Sequence, residues 1–298
     1  MSKSRIGAAV LALSLPAVAS AAEVAILKTA EVPGWRPAID ALKRAAAAHT
    51  VTEYDLRNDR AEAERVLGGL KGKGAVLVAL GPLAATAAKE QIPDGPLIIG
   101  FVPDPARVGM AGVSGVAANI PVKNQLAAFR MVNPRGVRIG VVFSQDNVGA
   151  MVADAEKASS VLRVLLVTRP VASEKDVPAA IRSLVTGADA VDAVWIPPDP
   201  LLLGESRQFV LSECLKNSKP VYSFSAALEP EGALVSNGPD FVSMGEQLGE
   251  LVNRMAGGEK SKGDMLIPRA ELIINKKIGD KLKIDIPPDA LKAAAKVY

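Results

Sequence analysis

Few side chains in this sequence could make or break a covalent bond or hold a metal. His49 is the only histidine and Cys214 the only cysteine among 298 residues, so no usual zinc ligand set can be assembled. His49 ends an alanine-rich stretch and reads as a solvated surface residue. Cys214 lies in the helical pattern Phe209–Leu215 and reads as a small buried apolar side chain. Being single, it can form no intramolecular disulfide. Gly112-Val113-Ser114-Gly115 lacks the spacing of a Gly-x-Ser-x-Gly nucleophile elbow. Gly72-Lys73-Gly74 precedes an apolar run instead of following one, so it is no phosphate-binding loop. Carboxylates are plentiful, but none form an evident acid–base pair. What remains is non-covalent chemistry around a ligand, with no catalytic residue, no metal and no cofactor expected.

The residues suited to that chemistry fall just beyond short apolar runs. Thr29-Ala-Glu31-Val-Pro-Gly34-Trp35-Arg36 follows the first run, Gly81-Pro82 the third and Val102-Pro-Asp104-Pro the fourth. Later come Phe143 with Ser144-Gln145-Asp146-Asn147, then Pro197-Pro-Asp199-Pro, then Ser223-Phe224-Ser225. Candidate ligand contacts are therefore Glu31, Trp35, Gly81, Pro82, Asp104, Phe143, Ser144, Asn147, Asp199, Ser223 and Phe224. Each has a plainer reading. Asp104 and Asp199 between prolines can cap turns, Ser144, Asp146 and Asn147 can cap a helix, and Glu31 and Arg36 can simply be solvated. Trp195 lies inside an apolar run and reads as core. Trp35 lies in a Pro/Gly loop, where core packing is less automatic. Trp35, Phe143 and Phe224 together favour a ligand with an apolar or aromatic body.

The elements that must position these loops alternate. Val24–Leu27, Val51–Tyr54, Ala75–Leu80 and Leu97–Phe101 read as buried strands. Between them lie helical patterns such as Asp59–Leu70, where Ala63, Val66, Leu67 and Leu70 share a face and Asp59 and Glu62 have capping-box spacing. After Pro121–Val132, a joining helix, the pattern restarts. Arg138–Phe143, Leu162–Val167, Ala190–Ile196, Pro220–Phe224 and Ala233–Asn237 read as strands. Gly149–Ser160, Val177–Leu184, Ser206–Asn217 and Asp240–Ala256 read as helices. The order predicts an α/β protein of two doubly wound parallel-sheet lobes. Such sheets bind ligands beyond the carboxyl ends of their strands, so facing edges predict a cleft between lobes.

Residues 1–21 combine a basic start, an apolar run from Ile6 to Val18 and the ending Ala19-Ser20-Ala21, which is the pattern of an export signal. Cleavage after Ala21 is expected, with no cysteine there for a lipid anchor. The product is then periplasmic or secreted. Loss of Lys3 and Arg5 lowers the formal net charge from +3 to +1. That balance suggests neither nucleic acid nor an acidic membrane as partner, and the chain is expected to be monomeric.

Several segments taken in order resemble one family. They are Val191-Asp-Ala-Val-Trp-Ile-Pro-Pro-Asp199-Pro, Val102-Pro-Asp104-Pro with Ala111-Gly-Val-Ser114-Gly, Glu231-Gly-Ala233-Leu-Val-Ser, Met244-Gly245-Glu-Gln247, Ala270–Gly279 and Ile286-Pro-Pro288-Asp-Ala-Leu291. Together they resemble the substrate-binding proteins of ABC transporters, of the tryptophan/tyrosine-binding kind. Ile278 departs from the pattern, which has a small alanine there. The resemblance implies a type I periplasmic-binding fold whose lobes close on a ligand about a hinge, with an ABC permease as partner. A sensing module for a membrane receptor and, less favoured, an extracytoplasmic enzyme are the alternatives. Crossings between lobes are expected near Ala118–Pro121, Asn237–Asp240 and Ser261–Met265. They divide the chain into residues 22–120 with 238–262, and residues 121–237 with 263–298.

Overall fold

A computed structural model of the protein describes residues 21–187 and 190–298. The expected export signal, but for its last residue, lies outside the described residues. The first run of elements is β1 (Glu23–Lys28), α1 (Arg36–Ala45), β2 (Thr50–Asp55), α2 (Arg60–Leu70), β3 (Val76–Leu80), α3 (Pro82–Gln91), β4 (Leu97–Gly100) and β5 (Gly115–Val116). The second run is α4 (Val122–Val132), β6 (Arg138–Ser144), α5 (Gln145–Val161), β7 (Leu165–Val171), α6 (Val177–Val185), β8 (Ala193–Ile196), α7 (Pro200–Leu203), α8 (Ser206–Lys216), β9 (Val221–Ser223) and β10 (Val235–Pro239). Then come α9 (Phe241–Ala256), β11 (Met265–Leu266), β12 (Ala270–Ile274), α10 (Lys276–Lys281), α11 (Pro288–Ala293) and β13 (Lys296–Val297).

The strands form two sheets, in the orders β11-β5-β4-β3-β1-β2 and β13-β12-β10-β9-β8-β6-β7. Strand alternation lets each sheet bury both faces. In β1, Val24 and Ile26 pack with α1 and α9, while Ala25 and Leu27 pack with α2 and α3. In the second sheet, Val141 and Phe143 join the core under α4 and α5, and Val142 joins the core under α6 and α8. Each fully buried Leu or Val contributes roughly 1.5–3 kcal/mol against leaving it exposed. The result is a three-layer α/β lobe built twice.

Several expectations are corrected in detail. The strand expected at Leu162–Val167 begins only at Leu165, because α5 runs through Val161 and closes with Arg163 at φ 53° and the Val164 amide on the Ser159 carbonyl. The same helix starts at Gln145, four residues before the periodic pattern, so Asn147 belongs to its first turn. Asp59 caps α2 through the Ala61 amide, but Glu62 pairs with Arg65 instead of completing a capping box. Not every strand is parallel: β12 runs antiparallel to β10, because the chain re-enters the second sheet from the other lobe in the opposite sense. Met265 and Leu266 pair with Gly115 and Val116, so the last crossing falls at Ile267–Arg269, after the stretch expected for it. His49 is half-buried, and its Nδ1 accepts from the Ala22 amide at 3.3 Å.

The three crossings run side by side. The Ala117 amide donates to Leu266 at 2.8 Å, and the Asp240 amide donates to Arg269 at 2.8 Å. Beside the second crossing, α9 lies on α1 so tightly that a Cβ on Gly245 would fall 2.0 Å from the Ala38 carbonyl oxygen. A glycine is therefore the residue that permits this contact.

Candidate functional site

Both sheets change winding direction once among their parallel strands. In the first, β2 lies on one side of β1 and β3, β4 and β5 on the other; in the second, β7 lies on one side of β6 and β8, β9 and β10 on the other. The carboxyl edges at these two switch points are where an open sheet leaves a crevice. The loops singled out in the sequence sit there.

At the first edge, three neighbouring strands contribute. Thr29 follows β1, Gly81 follows β3 and Phe101 follows β4. Trp35 closes a single turn of 3₁₀ helix after Thr29, with its amide on the Val32 carbonyl. Its ring reaches across the end of β3 and stacks on Phe101, with centroids 4.6 Å apart and planes 13° apart. Phe241, at the start of α9, meets the edge of Phe101 at 5.5 Å. Gly81 has φ +91°, and a Cβ there would lie 2.6 Å from Thr29 Oγ1 and 3.1 Å from Trp35 Cη2. Thr29 Oγ1 accepts from the Ala84 amide at 3.0 Å, which fixes α3 against β1. Phe101 itself has φ 56°. That left-handed backbone costs a bulky residue about 1–3 kcal/mol and is kept only where surroundings demand it. Trp35 stays half-buried and Pro82 exposed.

Beside this floor lies a charged cluster that the sequence did not announce. Lys28, 5% exposed at the end of β1, meets Glu31 and, at 3.1 Å, Glu53 of β2. Arg36 pairs with Glu53 at 3.2 Å and Glu31 at 3.5 Å. Burial opposes the charge on Lys28, yet the two carboxylates outweigh it and hold the ammonium above its usual range. Glu31 is thus engaged by Lys28 and Arg36 within its own lobe.

At the second edge, Asp199 is fully buried. Its carboxylate accepts from the Ser144 amide at 2.5 Å, the Leu201 amide at 3.1 Å, Ser144 Oγ at 3.3 Å and Asn147 Nδ2 at 3.4 Å. It ties the end of β6 to the start of α7, and so organises the edge without offering a free oxygen to it. Ser144 is buried in the same bonds. Asn147 stays exposed on the first turn of α5. Phe143 is 6% exposed and packs with the core under α4 and α5 at the end of β6. Ser223 is fully buried and closes its own turn with the Ser225 amide and carbonyl at 3.0 and 3.1 Å. Phe224, the next residue, is half-buried beyond the end of β9.

Among the described residues, a hydrogen bond crosses from edge to edge. Asp104 accepts from the Arg107 amide at 3.1 Å, and Arg107 Nη1 donates to the Asp146 carbonyl at 2.7 Å. The loop after β4 thereby touches the first turn of α5. Sequence reasoning missed Arg107, Phe101, Thr29 and Phe241. In the sequence Phe101 simply closes the apolar run Leu97–Phe101, so its type and place read as strand. A separate cavity of about 400 Å³ lies at the opposite pole of the second lobe, lined by Asn133, Arg135, Asp192, Lys219 and Lys283. It sits at the amino ends of the strands, away from the edges described.

Two parallel α/β lobes, joined by three adjacent crossings and meeting at their strand ends, define the type I periplasmic-binding class. The chain belongs to the ABC transporter substrate binding protein family, whose profile matches residues 23–298. Solved structures agree on the fold. An ABC domain from Streptococcus pneumonia in complex with L-Trp is 21% identical, with 94% of this chain and 100% of that one covered and a TM-score of 0.72. The ligand-free, open form of a substrate binding protein with adhesive properties from Clostridium difficile is 20% identical, over 93% and 99% of the two chains, with a TM-score of 0.78. A solute binding protein from Agrobacterium vitis with bound D-fucose is more distant, at 15% identity, 91% and 99% coverage and a TM-score of 0.57. No curated protein matches the sequence.

Proposed function

We propose that the protein captures a small organic ligand between its lobes outside the cytoplasm and presents it to an ABC permease. The observation that carries this reading is the position of the two edges. Trp35, Gly81 and Phe101 lie at one sheet's switch point, and Ser144, Asn147 and Asp199 lie at the other's. Arg107 spans from the first lobe to the second. In this reading Trp35, Asn147 and Phe224 touch the ligand, while Gly81, Asp104, Ser144, Asp199 and Ser223 fix the loops that display them. Contacts made to both lobes favour the closed arrangement, and closure is what the membrane partner reads. The structural relatives with bound L-Trp and D-fucose support a small-molecule ligand. The protein acts as a monomer after removal of residues 1–21.

The test is a thermal-shift screen of the processed protein against amino acids and monosaccharides, followed by small-angle scattering with any hit. A ligand that raises the melting temperature and shrinks the radius of gyration is the expected result. Stabilisation without compaction would remove hinge closure from the reading. N-terminal sequencing of exported protein should begin at Ala22 or Glu23, and an intact Met1 on exported protein would contradict the processing step.

A further inference from the structure

Phe101 is the one bulky aromatic residue at the first edge whose backbone is left-handed, at φ 56°. Its neighbours account for where that ring goes. The conformation turns the side chain back over the α1 and α9 side of the sheet, where it is 7% exposed. There it lies between Trp35, stacked at 4.6 Å, and Phe241, edge-on at 5.5 Å. An extended backbone at this position would send the ring elsewhere and leave one face of Trp35 unsupported. Trp35 closes the short turn ahead of α1, its edge rests on Gly81, where no Cβ intervenes, and the ring stacked on its face is Phe101. Phe241 opens α9 directly after the second crossing, and Asp240 holds that helix start through the Val242 and Ser243 amides. The plane of Trp35 is thus referred to a hinge segment through one intervening ring.

We infer that Phe101 is a positioning residue. It holds the Trp35 indole flat across the cleft floor, and through that plane it sets a preference for flat ligand bodies over puckered ones. The inference rests on the proposed cleft. Stacked rings attract beyond their buried area, and this extra term vanishes for a saturated ring of equal size. Phe101 need not touch the ligand to control it.

The probes are L-phenylalanine and L-cyclohexylalanine, which share a backbone and differ in ring flatness. Calorimetric titration of the unaltered protein should give about fivefold to tenfold tighter binding of the flat probe. Phe101→Leu and Phe101→Met should bring the ratio to within about twofold, and Phe101→Tyr should restore it. Near-ultraviolet circular dichroism supplies a second readout. The band from the coupled Trp35 and Phe101 rings should vanish in Phe101→Leu, return in Phe101→Tyr, and be missing in Trp35→Leu, while the Trp195 signal persists. An unchanged probe ratio in Phe101→Leu or Phe101→Met overturns the role of Phe101. Should the unaltered protein bind neither probe, the inference falls too; closure on some other small molecule in the scattering experiment would then leave the transport reading standing.

Discussion

Trp35 and Trp195 show how position on a strand decides what a ring does. Trp195 is fully buried in the middle of the second lobe's core. Trp195→Ala should cost about 3–5 kcal/mol of stability, visible as a large drop in denaturation midpoint. Trp35 is half-buried beyond a strand end. Trp35→Ala should instead weaken ligand binding by about 2–3 kcal/mol in calorimetry, with a smaller loss of stability. Cys214 is fully buried in α8, where burial, helped by Glu213, pushes its thiol up to about 12. It should stay silent to a thiol reagent until the protein is unfolded. Glu229 has no exposed surface. Burial pushes its carboxyl up to about 7, Glu271 adds to this, and the Ser236 hydroxyl and its own backbone amide offset it only in part. The folded state therefore holds a proton that the unfolded chain releases near its ordinary value of 4.5. Stability should fall as pH rises from there to about 7, then level off. Glu229→Gln should remove that slope, so melting curves of the two proteins should diverge across this window, by at most about 3 kcal/mol.

At the scale of elements, much was legible because the two periods are so distinct. Runs of four to six apolar residues marked the strands, and Asp59–Leu70 or Asp240–Ala256 showed their buried faces directly. Ends were harder. Leu162 to Val164 are apolar enough for a strand, but the left-handed turn at Arg163 is written in backbone geometry that no residue type there announces. The antiparallel entry of β12 depends on its pairing with β10, and the late third crossing on pairing between segments about 150 residues apart, neither of which periodicity can register. For the site, loops at strand ends could be read, but the phase of each side chain could not. That is why Phe143 turned inward, Asp199 proved to be a loop organiser and Phe101 was missed. The α1–α9 contact gives this scale its own test. Gly245→Ala would force a methyl group against the Ala38 carbonyl. Overpacking of this kind costs about 1–3 kcal/mol, so the melting temperature should fall although alanine is the better helix former.

For the whole molecule, the contact from Arg107 to the Asp146 carbonyl is a tie between lobes that uses no ligand. Arg107→Ala should shift the unliganded protein toward open forms. Small-angle scattering should then show a larger radius of gyration without ligand and an unchanged one with ligand at saturation. An identical unliganded radius would assign Arg107 to the surface alone.

The return of α9 to the first lobe also has a consequence for the order in which the protein can be made. That helix lies beside α1 and over β3, β4 and β5, yet it follows the whole second-lobe sheet up to β10 in the chain. Until residue 256 has emerged, the nascent amino-terminal half carries an uncovered greasy face formed by Leu42, Val78, Leu80 and Ile98. It cannot fold to completion ahead of the rest. Closing contacts over so long a span is slow. The same three-crossing topology should keep the newly made polypeptide loose until its last part is available to lock it.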